Sequence, residues 1–463
     1  MRAPAPPLEI VILAAGQGRR MASALPKVLH TLAGRPLLAH VLDTASALAP
    51  RAIHVVYGHG GERVREAFAH ARVNWVLQAE QRGTGDAVRC ALAGLADDSV
   101  ALVLLGDVPL ISKDTLETLR ARAVAGPALL TFEAHRENQY GRIVRDAQGR
   151  VVRIVEWRDA DLAQRALREV NSGVLAAPVA CLREWIPRLS SANAQGELYL
   201  TDVIALAVAD GLPVATASPA RSSEVEGVNS RADLAALERA FQEQQAAALM
   251  ASGAQLMDPR RFDVRGTLIT GRDVWIDVNC LFEGRVEIAD DVRIGAHCII
   301  RDSRIARGAR IEPHTLIDGA EVGPGCVVGP FARLRPGAVL DDHARVGNFV
   351  EVKGARIGAG TKINHLSYIG DATIGQGVNI GAGVITCNYD GARKHRTTIG
   401  DHAFIGSDSQ LVAPVEIGAG ATIGAGSTIT KDAPAGELTL SRAAQKTVSG
   451  WQRPSKPARA DKE

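Results

Sequence analysis

The chain has 463 residues, more than one hydrophobic core sustains, so two or more domains are expected. Lysine and arginine (53) nearly balance aspartate and glutamate (51), and a net charge of +2 excludes a bulk electrostatic drive toward nucleic acid or anionic membrane. No apolar run approaches the ~20 residues that cross a bilayer. The start MRAPAPPLEI has no apolar signal core, and the six cysteines include no CxxC pair, so free thiols in a reducing cytoplasm are expected.

The first half alternates β-rich runs and helical segments: IVILAA, a helix near Pro36 to Leu48, AIHVVYG, NWVLQ, a helix after Thr84, then VALVLLGD. This order predicts an α/β domain with a mostly parallel sheet, whose ligands sit at the carboxyl ends of the strands. The first strand runs into LAAGQGRRMASALPKVLH. Gly16 and Gly18 allow a backbone to approach a phosphate closely, and Arg20 and Lys27 supply charge for a polyphosphate. It is neither a Walker A loop, lacking Gly-Lys-Ser/Thr, nor a complete dinucleotide fingerprint. Asp107 in LLGDVPL follows a very apolar strand and is open to two readings: a helix or turn cap, or a Mg²⁺ ligand acting with substrate phosphates. QRGTGDAV offers a second glycine turn before a helix, and Gln78 just upstream carries an amide able to read a base edge.

In SRADLAALERAFQEQQAAALMASG, Ser230 and Asp233 form a capping-box pattern and apolar residues follow at helical spacing, which predicts a long linker helix ending near Gly253. From about residue 264, Ile, Val or Leu recurs every six residues, with occasional steps of five, as at 288, 294, 300, 305, 311 and 317. Three hexads then make a coil of 17 or 18 residues, the period of a hexapeptide β-helix. Four residues after each large apolar position comes a small one, Cys298 and Cys326 among them, so these cysteines are read as bore-filling rather than reactive. Between Ile380 and Ile399 the period breaks, and the insertion CNYDGARKHR is a candidate functional loop. The tail from Trp451 is expected to be disordered.

Coil arithmetic places Arg335 and Lys353 one coil apart on an outward face, at about the 4.8 Å spacing of adjacent strands. Either the two cations splay into solvent or they clamp an anion such as phosphate. His365 is outward too, with Asn348 one coil before it and small Ala382 one coil after; Tyr368 and Asn379 fall near the next corner. An outward histidine can be a plain surface residue, yet an imidazole beside an open slot suits a general base at neutral pH.

Taken together, LAAGxGxRM…LPK, LQAEQ-GTG, GDVPL, YGRIV, IVEWRDA, EVNSGV and VEGVNSR, followed by FARLRPGA, NFVEVK, HLSYIGDA, NIGAGVITCNYDG, FIGSDSQLVAPV and LSRAAQK, resemble the bacterial bifunctional family of N-acetylglucosamine-1-phosphate uridylyltransferase / glucosamine-1-phosphate N-acetyltransferase. The likeness covers roughly residues 8 to 453. It implies a Rossmann-like uridylyltransferase domain (1–231), a linker helix (232–252) and a left-handed parallel β-helix acetyltransferase domain (253–463), with a disordered basic tail from about 453. In the first domain it implies nucleotide binding by Leu13, Ala14, Ala15, Gly16, Lys27, Gln78, Gly83, Thr84 and Gly106, catalytic charge from Arg20 and Lys27, Mg²⁺ on Asp107 and Asn229, and sugar-phosphate contacts from Gly141, Glu156, Asn171 and Asn229. In the second it implies His365 as base, glucosamine 1-phosphate held by Arg335, Lys353, Tyr368 and Asn379, and acetyl-CoA held by Ala382, Asn388, Tyr389, Ser407, Ala425 and Arg442. The implied substrates are UTP, N-acetylglucosamine 1-phosphate, glucosamine 1-phosphate and acetyl-CoA, in a cytoplasmic homotrimer that supplies cell-wall precursor. Four positions depart from the family pattern: Arg19, Asp86, Leu105 and Trp157.

Overall fold

The computed structural model describes residues 6–16, 18–58, 60–134 and 138–454, with the Arg19 side chain outside the description. The chain divides into two compact units, residues 1–248 with 263–266, and residues 249–262 with 267–463. The expected tail disorder falls mainly on residues 455–463, outside the described residues.

The first unit is built on a sheet whose elements, in chain order, are β1 (Leu8–Leu13), α1 (Leu37–Ala47), β2 (Ala52–Gly58), β3 (Asn74–Gln78), α2 (Thr84–Leu92), β4 (Val100–Leu105), α3 (Lys113–Arg122), β5 (Ala128–Glu133), β6 (Arg142–Arg145), β7 (Val151–Val155), β8 (Glu169–Pro178) and β9 (Ala215–Ala217). The strand order is β9-β5-β8-β4-β1-β2-β3, with β6 pairing β8 and β7. LEIVIL of β1 is buried on both faces: Ile10 and Ile12 enter one apolar cluster and Val11 the other, the period-2 alternation of a sheet covered on both sides. β1, β2, β3 and β4 pair in parallel as expected, whereas β8 runs antiparallel to both β4 and β5, so the sheet is mixed.

α4 (Arg231–Ala251) follows. Asp233 Oδ2 accepts from the Asn229 and Ser230 amides, and Ser230 Oγ accepts from the Asp233 amide, which is the reciprocal cap the sequence pattern predicted.

The second unit is a parallel β-helix. One face is an 11-stranded parallel sheet; the other two belong to a 17-stranded path that turns a corner within every coil. Its winding is consistent with the left-handed β-helix that the resemblance implied. Large positions such as Ile300, Ile317, Leu334 and Val352 are fully buried, and so are the small ones, Cys298, Ala309, Cys326 and Ala338. Large and small inward side chains therefore fill a narrow bore, while outward positions are free for function. All six cysteines are free thiols, and burial pushes Cys298 up to about 12.

Candidate functional sites

At the carboxyl ends of β1, β3 and β4 lies a pocket of about 300 Å³ lined by Leu13, Ala14, Ala15, Gly16, Lys27, Gln78, Gly83, Thr84, Leu105 and Asp107, among others. The switch-point position predicted for a ligand is where it opens. Gly83, at φ +108°, precedes α2; a Cβ there would lie 2.6 Å from the Leu198 carbonyl oxygen, so the turn requires glycine. Gly106 sits against Leu13 and Val28, its amide donating to the Leu13 carbonyl at 2.9 Å. Arg20 is exposed beside the pocket's glycine loop rather than in its lining.

Lys27 Nζ donates to Asn229 Oδ1 at 2.8 Å and forms an ion pair with Asp107 Oδ2. Asp107 does not cap the next helix, because Ser112 is the N-cap of α3, accepting from the Thr115 amide. The carboxylate of Asp107 and the amide oxygen of Asn229 thus converge on one cationic point. This donor set fits Mg²⁺, which binds through one or two carboxylates, neutral oxygens and substrate phosphates.

Gly141 and Glu156, each one residue outside β6 and β7, come together with Asn171 of β8. A Cβ at Gly141 would stand 3.4 Å from both Glu156 carboxylate oxygens, and the Asn171 amide donates to the Gly141 carbonyl at 2.8 Å. Asn171 Oδ1 is buried without a hydrogen-bond partner, a costly state that a ligand hydroxyl would relieve. Burial raises the Glu156 pKa above the usual carboxylate range; Thr201 Oγ1, donating at 2.9 Å, opposes this, and the nearby Asp202 and Asp159 carboxylates add to it. Trp157, one of the four departures, is gripped by guanidinium carbons 4.6 Å (Arg142) and 4.9 Å (Arg165) from its ring centroid.

On the β-helix the register matches the coil arithmetic. Asn348 pairs with His365, and Leu334 with Val352, which makes Arg335 and Lys353 neighbours. His365 Nδ1 lies 3.0 Å from Asn348 Oδ1. An amide oxygen there requires the hydrogen on Nδ1, so Nε2 keeps its lone pair outward. Ile363 pairs with Ile380, Ile380 with Ile405, and Ile405 with Ile423. Two residues on from each, His365, Ala382, Ser407 and Ala425 therefore form one column along the helix. The Asp408 amide donates to the Ala382 carbonyl and the Gly426 amide to the Ser407 carbonyl, each within 2.8 Å. Arg442 closes the column by donating to the Ala425 carbonyl at 3.0 Å.

The cations stand on a different face. Lys353 pairs with Gly370 in the 17-stranded path, whereas His365 belongs to the 11-stranded face, with the Leu366 corner between His365 and Tyr368. Gly370 leaves room for the Tyr368 hydroxyl, which would stand 2.4 Å from a Cβ at that position. Asn388 is buried and donates to Asp371 Oδ2 at 2.5 Å, with the Tyr368 hydroxyl 3.5 Å away. Asn379 is half-buried beside Lys362, and Tyr389 is exposed, its hydroxyl donating to the Gly391 carbonyl at 2.6 Å.

The sequence reasoning missed Lys394. The inserted loop closes as a small hairpin through Tyr389 and Lys394. It brings the Lys394 ammonium beside Lys353, and that neighbour, with smaller effects of burial and Arg335, holds the Lys353 pKa below its ordinary range. Lys353, Lys394 and Arg335 thus lie together, with Arg335 Nη1 donating to Glu351 Oε1 at 2.7 Å and the Asp371 carboxylate partly offsetting the shift of Lys353. The loop's polarity was the only signal for Lys394.

Comparison with known proteins agrees with both halves. Residues 10–256 match the MobA-like NTP transferase domain, 396–431 the bacterial transferase hexapeptide (six repeats), and 264–358 the GMPPB C-terminal domain. The bifunctional protein GlmU of Aromatoleum aromaticum is 59% identical over 97% of this chain and 99% of its own length. That of Azoarcus sp. is 59% identical over 97% and 100%, and that of Thiobacillus denitrificans 60% over 98% and 99%. With two catalytic modules in one continuous match, the chain belongs to the GlmU family of bifunctional transferases, which pair a nucleotidyltransferase with a hexapeptide-repeat acetyltransferase in UDP-N-acetylglucosamine synthesis.

Proposed function

We propose that residues 253–463 transfer acetyl from acetyl-CoA to glucosamine 1-phosphate and residues 1–231 then transfer uridylyl from UTP to the product, releasing pyrophosphate, with 232–252 as linker. The observation that carries this reading is the column of His365, Ala382, Ser407 and Ala425, in which a histidine with its Nε2 lone pair outward heads a run of small residues. A thioester arm laid along Ala425, Ser407 and Ala382, flanked by Asn388, Tyr389 and Arg442, would bring its carbonyl carbon to His365.

Arg335, Lys353 and Lys394 hold the sugar phosphate, with Tyr368 and Asn379 on the sugar. His365 Nε2 removes a proton from the 2-amino group as its nitrogen attacks the thioester carbon, and the carbon–sulfur bond breaks to release the CoA thiolate. The base column and the cation column occupy different faces of one chain. A homotrimer, in which one chain's cation face completes another's base column, reconciles that separation.

In the first domain Gln78, Gly83 and Thr84 hold the base, and Leu13 to Gly16, Gly106, Arg20 and Lys27 the phosphates. Glu156, Gly141 and Asn171 orient the sugar so that its phosphate oxygen attacks the α-phosphorus in line. Positioning and charge neutralisation carry such a reaction. Mg²⁺ held by Asp107 and Asn229 would supply neutralisation of the phosphate charge. No described helix is long and apolar enough to cross a membrane, which accords with a cytoplasmic enzyme.

Ala382→Leu tests the column. Filling the slot beside His365 should raise the acetyl-CoA KM at least tenfold while uridylyl transfer continues; an unchanged acetyl-CoA KM would remove the column from the site.

A further inference from the structure

Gln78 closes β3 and is 3% exposed. Its Nε2 donates to Asp86 Oδ2 at 2.8 Å and to the Gly83 carbonyl at 3.1 Å. Both partners can only accept, so the amide nitrogen must face them and Oε1 is left for the pocket that Gln78 lines. Asp86 is itself 2% exposed, and Arg89 holds its other oxygen. Turning the amide over would press Oε1 against a carboxylate and a carbonyl with no water to intervene. Gln78 is therefore locked as an acceptor toward the ligand.

We infer that Asp86, through the Gln78 amide, is a specificity-determining positioning residue that makes this pocket select a pyrimidine with a hydrogen on N3, uracil, over one with a lone pair there, cytosine. The inference rests on reading the pocket as the nucleotide site. Uracil N3–H donates to Oε1, whereas cytosine N3 would oppose it lone pair to lone pair, the kind of mismatch that a site built for one hydrogen-bonding pattern rejects strongly. A purely structural role also exists for Asp86: an acidic residue in the first turn of α2, paired with Arg89 three residues on, stabilises a helix. That role would change stability without changing which nucleotide is preferred.

The test uses the full-length chain and compares kcat/KM for UTP and CTP in the parent, Asp86→Ala, Asp86→Asn, Arg89→Ala and Gln78→Ala. Denaturant unfolding of the first unit in each variant reports whether the unit that carries Asp86 is folded. In Asp86→Ala the UTP:CTP ratio should fall roughly tenfold or more, since a freed amide can turn over to serve cytosine. Asp86→Asn, which keeps an oxygen able to accept from Nε2, should restore most of the ratio, and Arg89→Ala should lower it in the same direction, by less. A ratio within twofold of the parent in both Asp86→Ala and Arg89→Ala overturns the inference. If those two leave the ratio alone while Gln78→Ala lowers it, the fault lies with Asp86; if Gln78→Ala also leaves it alone, the reading of the pocket as base-selective fails first.

Discussion

Asn348→Ala should weaken acetyl transfer by a limited and calculable amount. Asn348 Oδ1, 3.0 Å from His365 Nδ1, fixes the tautomer with Nε2 basic, and both side chains are accessible enough that water can replace the lost bond. A hydrogen bond in that setting is worth about 0.5–1.5 kcal/mol, so kcat should fall roughly 2- to 13-fold. Loss of the base itself should cost ~10² to 10⁴. Steady-state acetyl transfer across pH 5.5–9 separates the cases. In Asn348→Asp the carboxylate keeps the acceptor and favours imidazolium, so the acid limb of the rate profile should move to higher pH. The reasoning is refuted if Asn348→Ala is as inactive as His365→Ala, or if its rate equals the parent's.

Lys394→Ala should raise the KM for glucosamine 1-phosphate about tenfold or more, as expected for a charged hydrogen bond to phosphate, with little change in kcat; initial-rate kinetics decide. Cys298, with its thiol pushed up to about 12, should resist a thiol reagent at pH 8 in the native chain and react once the chain is unfolded in denaturant. Thr201→Val removes the hydrogen bond that opposes the upward shift of Glu156. A carboxyl with a raised native pKa contributes stability below its unfolded range, near 4.3, and loses it as pH rises through the native value. The variant should therefore lag the parent by little at pH 4 and by about 1 kcal/mol at pH 7 in denaturant unfolding of the first unit.

The β-helix was legible because its bore admits one large and one small residue per hexad, so nearly every inward position of Ile288 to Ile429 carries the signal. Register then gave the neighbours of His365 and of Arg335 by counting alone. The reversed strand β8 was not legible: both directions bury an apolar run equally well, and the choice is made by partners far away in sequence. Lys394 escaped for a similar reason, since only the closed hairpin of the inserted loop carries it to Lys353. The four departures from the family pattern had no visible cause in the sequence. In the structure Trp157 is clasped by Arg142 and Arg165, Leu105 packs at Gly173 beside the pocket, and Asp86 fixes Gln78.

The central claim is that one chain carries two chemically independent sites, and a crossed assay of His365→Ala and Asp107→Ala tests it most directly. Each full-length variant is measured for acetyl transfer to glucosamine 1-phosphate and for uridylyl transfer to N-acetylglucosamine 1-phosphate. The account predicts that His365→Ala loses acetyl transfer by ~10² or more with uridylyl transfer retained, and that Asp107→Ala does the reverse. Retention of acetyl transfer in His365→Ala, or of uridylyl transfer in Asp107→Ala, would contradict it.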